Sequence, residues 1–99
     1  MATFVILTRF STDAFDDPKN MVSLANKVAD KVQDECPGVI WKNSYATLGR
    51  YDVVDVIECD DPKQVQRAAM IIRAYGHGYT ETMPATPWKE FISRLKENR

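Results

Sequence analysis

Neither sign of charge prevails in this sequence: 13 Lys and Arg stand against 14 Asp and Glu, for a formal net charge of -1. A balanced chain has no basic footprint for phosphate backbones, so nucleic acid is a disfavoured partner. No apolar run approaches the length of a membrane span, and no membrane partner is expected. Met1-Ala2-Thr3 leads straight into a strand-like segment, with neither the basic region nor the cleavage site of a secretion signal. Cysteine is scarce. Cys36 and Cys59 are too few for a disulfide framework, which points to a reduced, cytoplasmic protein. Histidine occurs once, as His77, and one imidazole cannot build a metal centre. CxxC, HExxH, P-loop and GxSxG patterns are all missing, and Gly76-His77-Gly78 is too short to cradle a phosphate. No metal or cofactor is therefore expected.

What is present has the composition of one globular domain spanning residues 1–99, 44% hydrophobic and 27% charged. Thr3 to Phe10 is rich in β-branched and aromatic residues and reads as a strand. A polar loop, Ser11 to Asp16, precedes Asp17-Pro18, which reads as an N-cap and first helical residue. Met21, Leu24, Ala25, Val28 and Val32 then recur on one helical face, and Cys36-Pro37-Gly38 ends the helix. Val39 to Leu48 reads as a second strand, turning at Gly49 (whose freedom at positive φ suits a tight turn) into a third, Val53 to Cys59. Asp60-Asp61-Pro62-Lys63 repeats Asp16-Asp17-Pro18-Lys19, an echo that shared helix-start chemistry explains without common ancestry. Asp61 with Gln64 predicts a capping box. Val65, Ala68, Ala69, Ile72 and Tyr75 share a helical face, Gly76 stops it, and His77 to Met83 alternates as a fourth strand.

Right-handed crossovers fold this order into an α+β, ferredoxin-like βαββαβ domain, sheet order 4-1-3-2, with both helices on one face. The other face is left bare although the strands carry Val5, Leu7, Trp41, Tyr45, Val53, Ile57 and Tyr79, and so large an apolar surface is seldom left wet. A second copy of the chain is the economical cover. The alternative cover is the tail, where Pro84 to Pro87 breaks the strand. Residues 87–97 then place Trp88, Phe91, Ile92 and Leu95 on one stripe of a short helix. Such a helix must dock to persist, on the partner or on its own domain.

Gly49-Arg50-Tyr51-Asp52-Val53-Val54 resembles the glycine-x-tyrosine-aspartate signature of the GYD domain family. Val5-Ile6-Leu7-Thr8-Arg9-Phe10, Ala74-Tyr75-Gly76-His77 and Thr80-Glu81-Thr82 agree with it. The resemblance implies a ferredoxin-like, dimeric α+β barrel and says little of activity. Asp55 departs from that pattern, where a small apolar residue is expected.

The topology brings the ends of strands one and two to the starts of strands three and four. Arg9, Leu48, Tyr51, Asp52 and His77 should meet there as raw material for a polar pocket. Each also has a plainer part to play. Asp52 can bond turn amides or pair with Arg9, Tyr51 can pack, and His77 can sit near helix-end carbonyls. Asp55, mid-strand among valines, is costly as a carboxylate unless paired or solvated. We therefore expect it on the open face with Tyr51, Val53 and Ile57. There it would face a dimer cavity, either paired with a partner Arg or Lys or touching a ligand. Cys36 and Cys59 lie close enough for a redox pair to be conceivable, though two inert buried thiols is the plainer reading.

Three functions remain open. The first is a homodimeric binding module holding a small, largely apolar ligand between its sheets, with Arg9, Trp41, Tyr45, Tyr51, Asp52, Asp55 and His77 as contacts. The second is a cofactor-independent enzyme of monooxygenase or isomerase type, with His77 or Asp55 as base; this rests on fold analogy. The third is a structural or regulatory subunit with no ligand.

Overall fold

The computed structural model describes residues 1–11, 17–76 and 78–97. Most of the polar loop expected over Ser11 to Asp16, and the candidate base His77, lie outside the described residues. The elements run β1 (Ala2–Arg9), α1 (Asn20–Glu35), β2 (Ile40–Ala46), β3 (Val53–Cys59), α2 (Pro62–Gly76), β4 (Tyr79–Ala85) and α3 (Trp88–Glu97). The four strands form one antiparallel sheet ordered β2-β3-β1-β4, which is the ferredoxin-like order 4-1-3-2 read from the other edge.

One face of β1 and β3 carries the core. Ile6, Ile57 and Cys59 pack against Val65 and Ile72 of α2, and Val32 and Cys36 meet Ala68 and Ile71 where the two long helices touch. Each fully buried aliphatic side chain contributes roughly 1.5–3 kcal/mol, so α2 is the helix that holds the sheet. α1 packs chiefly against α2, with Val28 reaching the core cluster, and stands off from the strands. Glu35 near the end of α1 accepts two hydrogen bonds from the Arg67 guanidinium of α2, at 2.7 and 3.0 Å, and pairs with Lys31.

Helix starts differ from expectation in detail. Asp17 does not cap α1 directly; its Oδ1 accepts the Lys19 amide at 2.9 Å in a preceding turn, and the helix begins at Asn20. At α2, Asp61 Oδ1 accepts the Lys63 amide, but the capping box is not completed. Gln64 instead accepts the Gly38 amide at 2.7 Å, fastening the α1–β2 connection. Gly49 has no positive φ, and a Cβ there would meet nothing, so the β2–β3 turn does not depend on glycine's freedom. Gly78 does matter: a Cβ at that position would collide with the Arg9 carbonyl. Pro84 does not break β4, because an edge strand has a hydrogen-bonding side to spare.

Among the described residues α3 makes no extensive packing with another element, and its Trp88 is 72% exposed. The molecule is only 17 Å across its thinnest axis, one sheet and one helical layer deep. No helix among the described residues is long and apolar enough to cross a membrane.

Candidate functional site

Because α1 stands away from the sheet, a cavity of about 790 Å³ opens between them. Met21, Leu24, Val28 and Val32 of α1 form one wall, and Val53, Ile72 and Val39 contribute to the rest. The sheet contributes Thr8, Ser44, Asp55 and the indole of Trp41 to its polar content, and α1 adds Asn26 and Gln33.

Asp55 thus lies on the helix-covered face, correcting the expectation that it would sit on the open one. It is opposite Ile6 in the ladder, shares its face with Ile57 and Cys59, and is 5% exposed. Both faces of β3 are apolar, Val53 and Ile57 on one and Val54 and Val56 on the other. Alternation in such a strand reveals a period but no phase. The carboxylate survives burial through local donors. Ser44 Oγ donates to Asp55 Oδ1 at 2.6 Å, and Trp41 Nε1 donates to the same oxygen at 3.1 Å. Trp41 Nε1 also lies 2.8 Å from Ser44 Oγ. Burial nevertheless pushes the Asp55 carboxyl above its ordinary range, and the two donors only partly oppose it.

A β-bulge makes this cluster possible. The register slips between Trp41 and Asn43, so that Trp41 faces Ile57 and Ser44 faces Asp55. One extra residue, Lys42, turns two positions of opposite phase onto one face of the sheet. The same slip separates Trp41 from Tyr45, which pairs with Val54 and stays on the open face. Strict alternation would have kept the two aromatics together.

Ser44 and Thr8 are the residues that sequence reasoning missed, and Thr8 is the more telling. It is 1% exposed, lines the cavity, and its Oγ1 has no hydrogen-bond partner. It sits opposite Val53, one diagonal step from Asp55, and side chains so placed are roughly 7–8 Å apart at the backbone. The available signal was its two-residue spacing from Ile6, which puts it on the core face.

The remaining candidates are divided by the sheet. The strand ends do converge, with Arg9 beside Tyr79, and Thr8 and Ala46 beside Val53. Asp52 is spent on architecture: its Oδ2 accepts the Phe10 amide at 2.8 Å, and its own amide donates to the Thr8 carbonyl at 2.8 Å. Tyr51 donates to Glu81 on the open face, and Tyr79 donates to the same carboxylate oxygen at 3.2 Å. The bond to Glu81 pushes the Tyr51 phenol up. Arg9 lines a shallow depression with Phe10, Ser11, Gly78 and Tyr79. Of the six candidate contacts among the described residues, this cavity therefore holds Trp41 and Asp55.

Cys36 also lines this cavity, and burial pushes its thiol up, the direction of an inert sulfur. Both cysteines are free and buried. Among the described residues, no three His, Cys, Asp or Glu side chains are grouped to hold a metal ion.

Comparison with known proteins places these features in context. The family model described as the GYD domain matches residues 4–95. A Thermus thermophilus protein named glutamine synthetase and cystathionine beta-lyase binding protein is 31% identical over 96 residues, covering 97% of this chain and all of that one. Among solved structures, a hypothetical protein from Pyrococcus horikoshii superposes with a TM-score of 0.55 at 25% identity, covering 88% of this chain and 92% of its own. A second Thermus thermophilus structure gives 0.56 at 21% identity, over 88% and 95% of the respective chains, and shares the fold.

Proposed function

The chain belongs to the GYD domain family, and from that premise we propose that it is a binding module for a small, largely apolar molecule. The ligand would occupy the cavity between α1 and the sheet. One observation carries this reading: a cavity of about 790 Å³, apolar over most of its lining, with a few polar groups gathered on its sheet wall. Sites of roughly 300–1,000 Å³ with that composition are the usual form of a small-molecule pocket. Trp41 and Asp55 supply contacts from the original candidate set, with Ser44 and Thr8 added. The homodimer belongs to the same proposal. Val5, Leu7, Val54 and Val56 lie on the open face beside exposed Tyr45, Tyr79 and Met83, and a second copy of this apolar surface is its natural cover.

The test is titration with naphthol, a rigid apolar probe bearing one hydroxyl, followed by calorimetry and thermal melting. Saturable one-to-one binding that raises Tm is expected, and it should vanish in Ala29→Trp, which fills the cavity from α1. Binding that survives this substitution places the ligand elsewhere and defeats the proposal.

A second reading draws on the name of the Thermus relative, which describes a protein that binds glutamine synthetase and cystathionine beta-lyase. The exposed apolar stripe of α3, with Trp88, Phe91 and Leu95, suits such a contact. Light scattering of this chain mixed with a glutamine synthetase would show a joint species, lost on removing residues 87–99.

A further inference from the structure

The polar groups of the cavity are unevenly satisfied, and the pattern of what is left over describes a ligand. Asp55 Oδ1 already receives Ser44 and Trp41, whereas no hydrogen bond reaches Oδ2 from any described residue. Thr8 Oγ1 is buried and unpartnered on the neighbouring strand, one diagonal step away. A native chain seldom leaves such an atom unsatisfied, and a missing ligand group is one physical reason for it. The cavity contains one acidic side chain and, among its described lining residues, no lysine, arginine or histidine. No ion pair involves Asp55 among the described residues. The negative charge therefore has no counter-charge among the described residues.

We infer that the ligand is an organic amine: an apolar body filling the cavity, with an ammonium group seated between Asp55 Oδ2 and Thr8 Oγ1. This rests on the proposed ligand-binding role and names the chemical class that would fill it. An ammonium has three donors and no acceptor, so it can donate to both vacant oxygens at once while supplying the absent positive charge. A carboxylic acid ligand would set like charges together in a site of low dielectric. An alcohol would match the hydrogen bonds but leave the charge uncompensated. A buried carboxylate that meets its cation only on binding is also a specificity device, because an uncharged competitor gains nothing from it.

The experiment compares phenethylamine, phenethyl alcohol and hydrocinnamate, which share an aromatic body and differ in the polar end. Each is titrated by calorimetry into the full chain. The amine should bind at least about tenfold more tightly than the alcohol, and the acid should not bind. Asp55→Asn, which keeps the shape of the side chain, should bring the amine down to the affinity of the alcohol. Thr8→Val should weaken the amine several-fold, and it serves as the second variant should Asp55→Asn fail to fold. If the alcohol matches the amine in the wild-type chain, or Asp55→Asn binds the amine unchanged, the amine inference is overturned while the apolar cavity stands. If none of the three probes nor naphthol binds, the ligand-binding role falls with it.

Discussion

Replacing Thr8 by valine should make this protein more stable. Thr8 is 1% exposed and its hydroxyl has no partner. A buried polar group without a hydrogen bond costs about 1–3 kcal/mol in lost hydration. Valine keeps the branched shape at Cβ and the strand preference while removing that hydroxyl. The gain should thus be about 1–3 kcal/mol. For a domain of this size each kcal/mol moves Tm by about 4–8 °C, so a rise of at least about 4 °C is expected. Thr80 supplies the control. It lies directly opposite Thr8 in the ladder and is equally inaccessible, but its Oγ1 accepts from Arg73 Nε at 2.7 Å. Thr80→Val strips a guanidinium of an acceptor and should destabilise by about 1.5–3 kcal/mol, the usual worth of a bond to a charged group. Urea unfolding of the two variants beside wild type decides the matter, since equal m-values make the shift in midpoint a change in stability. If Thr8→Val is less stable than wild type, the hydroxyl is hydrogen-bonded in solution and the reasoning about the cavity fails at its root. The expected pairing of higher stability with weaker amine binding is the familiar trade between a relaxed fold and a prepared site.

Asp55 sets a pH dependence with a definite sign. Burial raises its folded pKa, so folding takes up a proton between the unfolded value near 3.9 and the raised one, and stability falls as pH climbs through that interval before levelling. Asp55→Asn lacks this slope, so its advantage over wild type should grow from about pH 4 upward in urea melts; parallel curves refute the assignment. Asp52→Ala should cost about 1–2 kcal/mol, because it removes the carboxylate that accepts from the partly buried Phe10 amide 42 positions away, while leaving naphthol affinity unchanged. An unaltered Tm would show that this tie is not structural. Light scattering should give a species of twice 11.3 kDa for the full chain, and Val54→Lys with Tyr45→Lys should reduce it to the monomer. A monomeric wild type removes the second copy from the open face.

Much of the architecture could be read from residue patterns because its causes are local. Met21 to Val32 and Val65 to Tyr75 repeat at helical spacing, β-branched runs mark β1 and β3, and chirality permits one sheet order for that sequence of elements. Gly49 to Asp52 pointed to the GYD family. The candidate site was legible only as a list. Trp41 and Asp55 were on it, yet their meeting depends on Lys42 being inserted into a ladder, and an insertion is visible only against the partner strand. The phase of β3 was equally undetermined, since valine and isoleucine occupy both of its faces. Thr8 gave little warning, because whether a hydroxyl is satisfied depends on atoms distant in the chain. Local chemistry thus decided which segments coil, extend or turn. Packing decided that α1 rests on α2 instead of the sheet, and that standoff created the cavity and gave Asp55, Ser44, Trp41 and Thr8 a common space. The physical reason is range: propensity and period act over a few residues, whereas a void is defined by surfaces from opposite ends of the sequence.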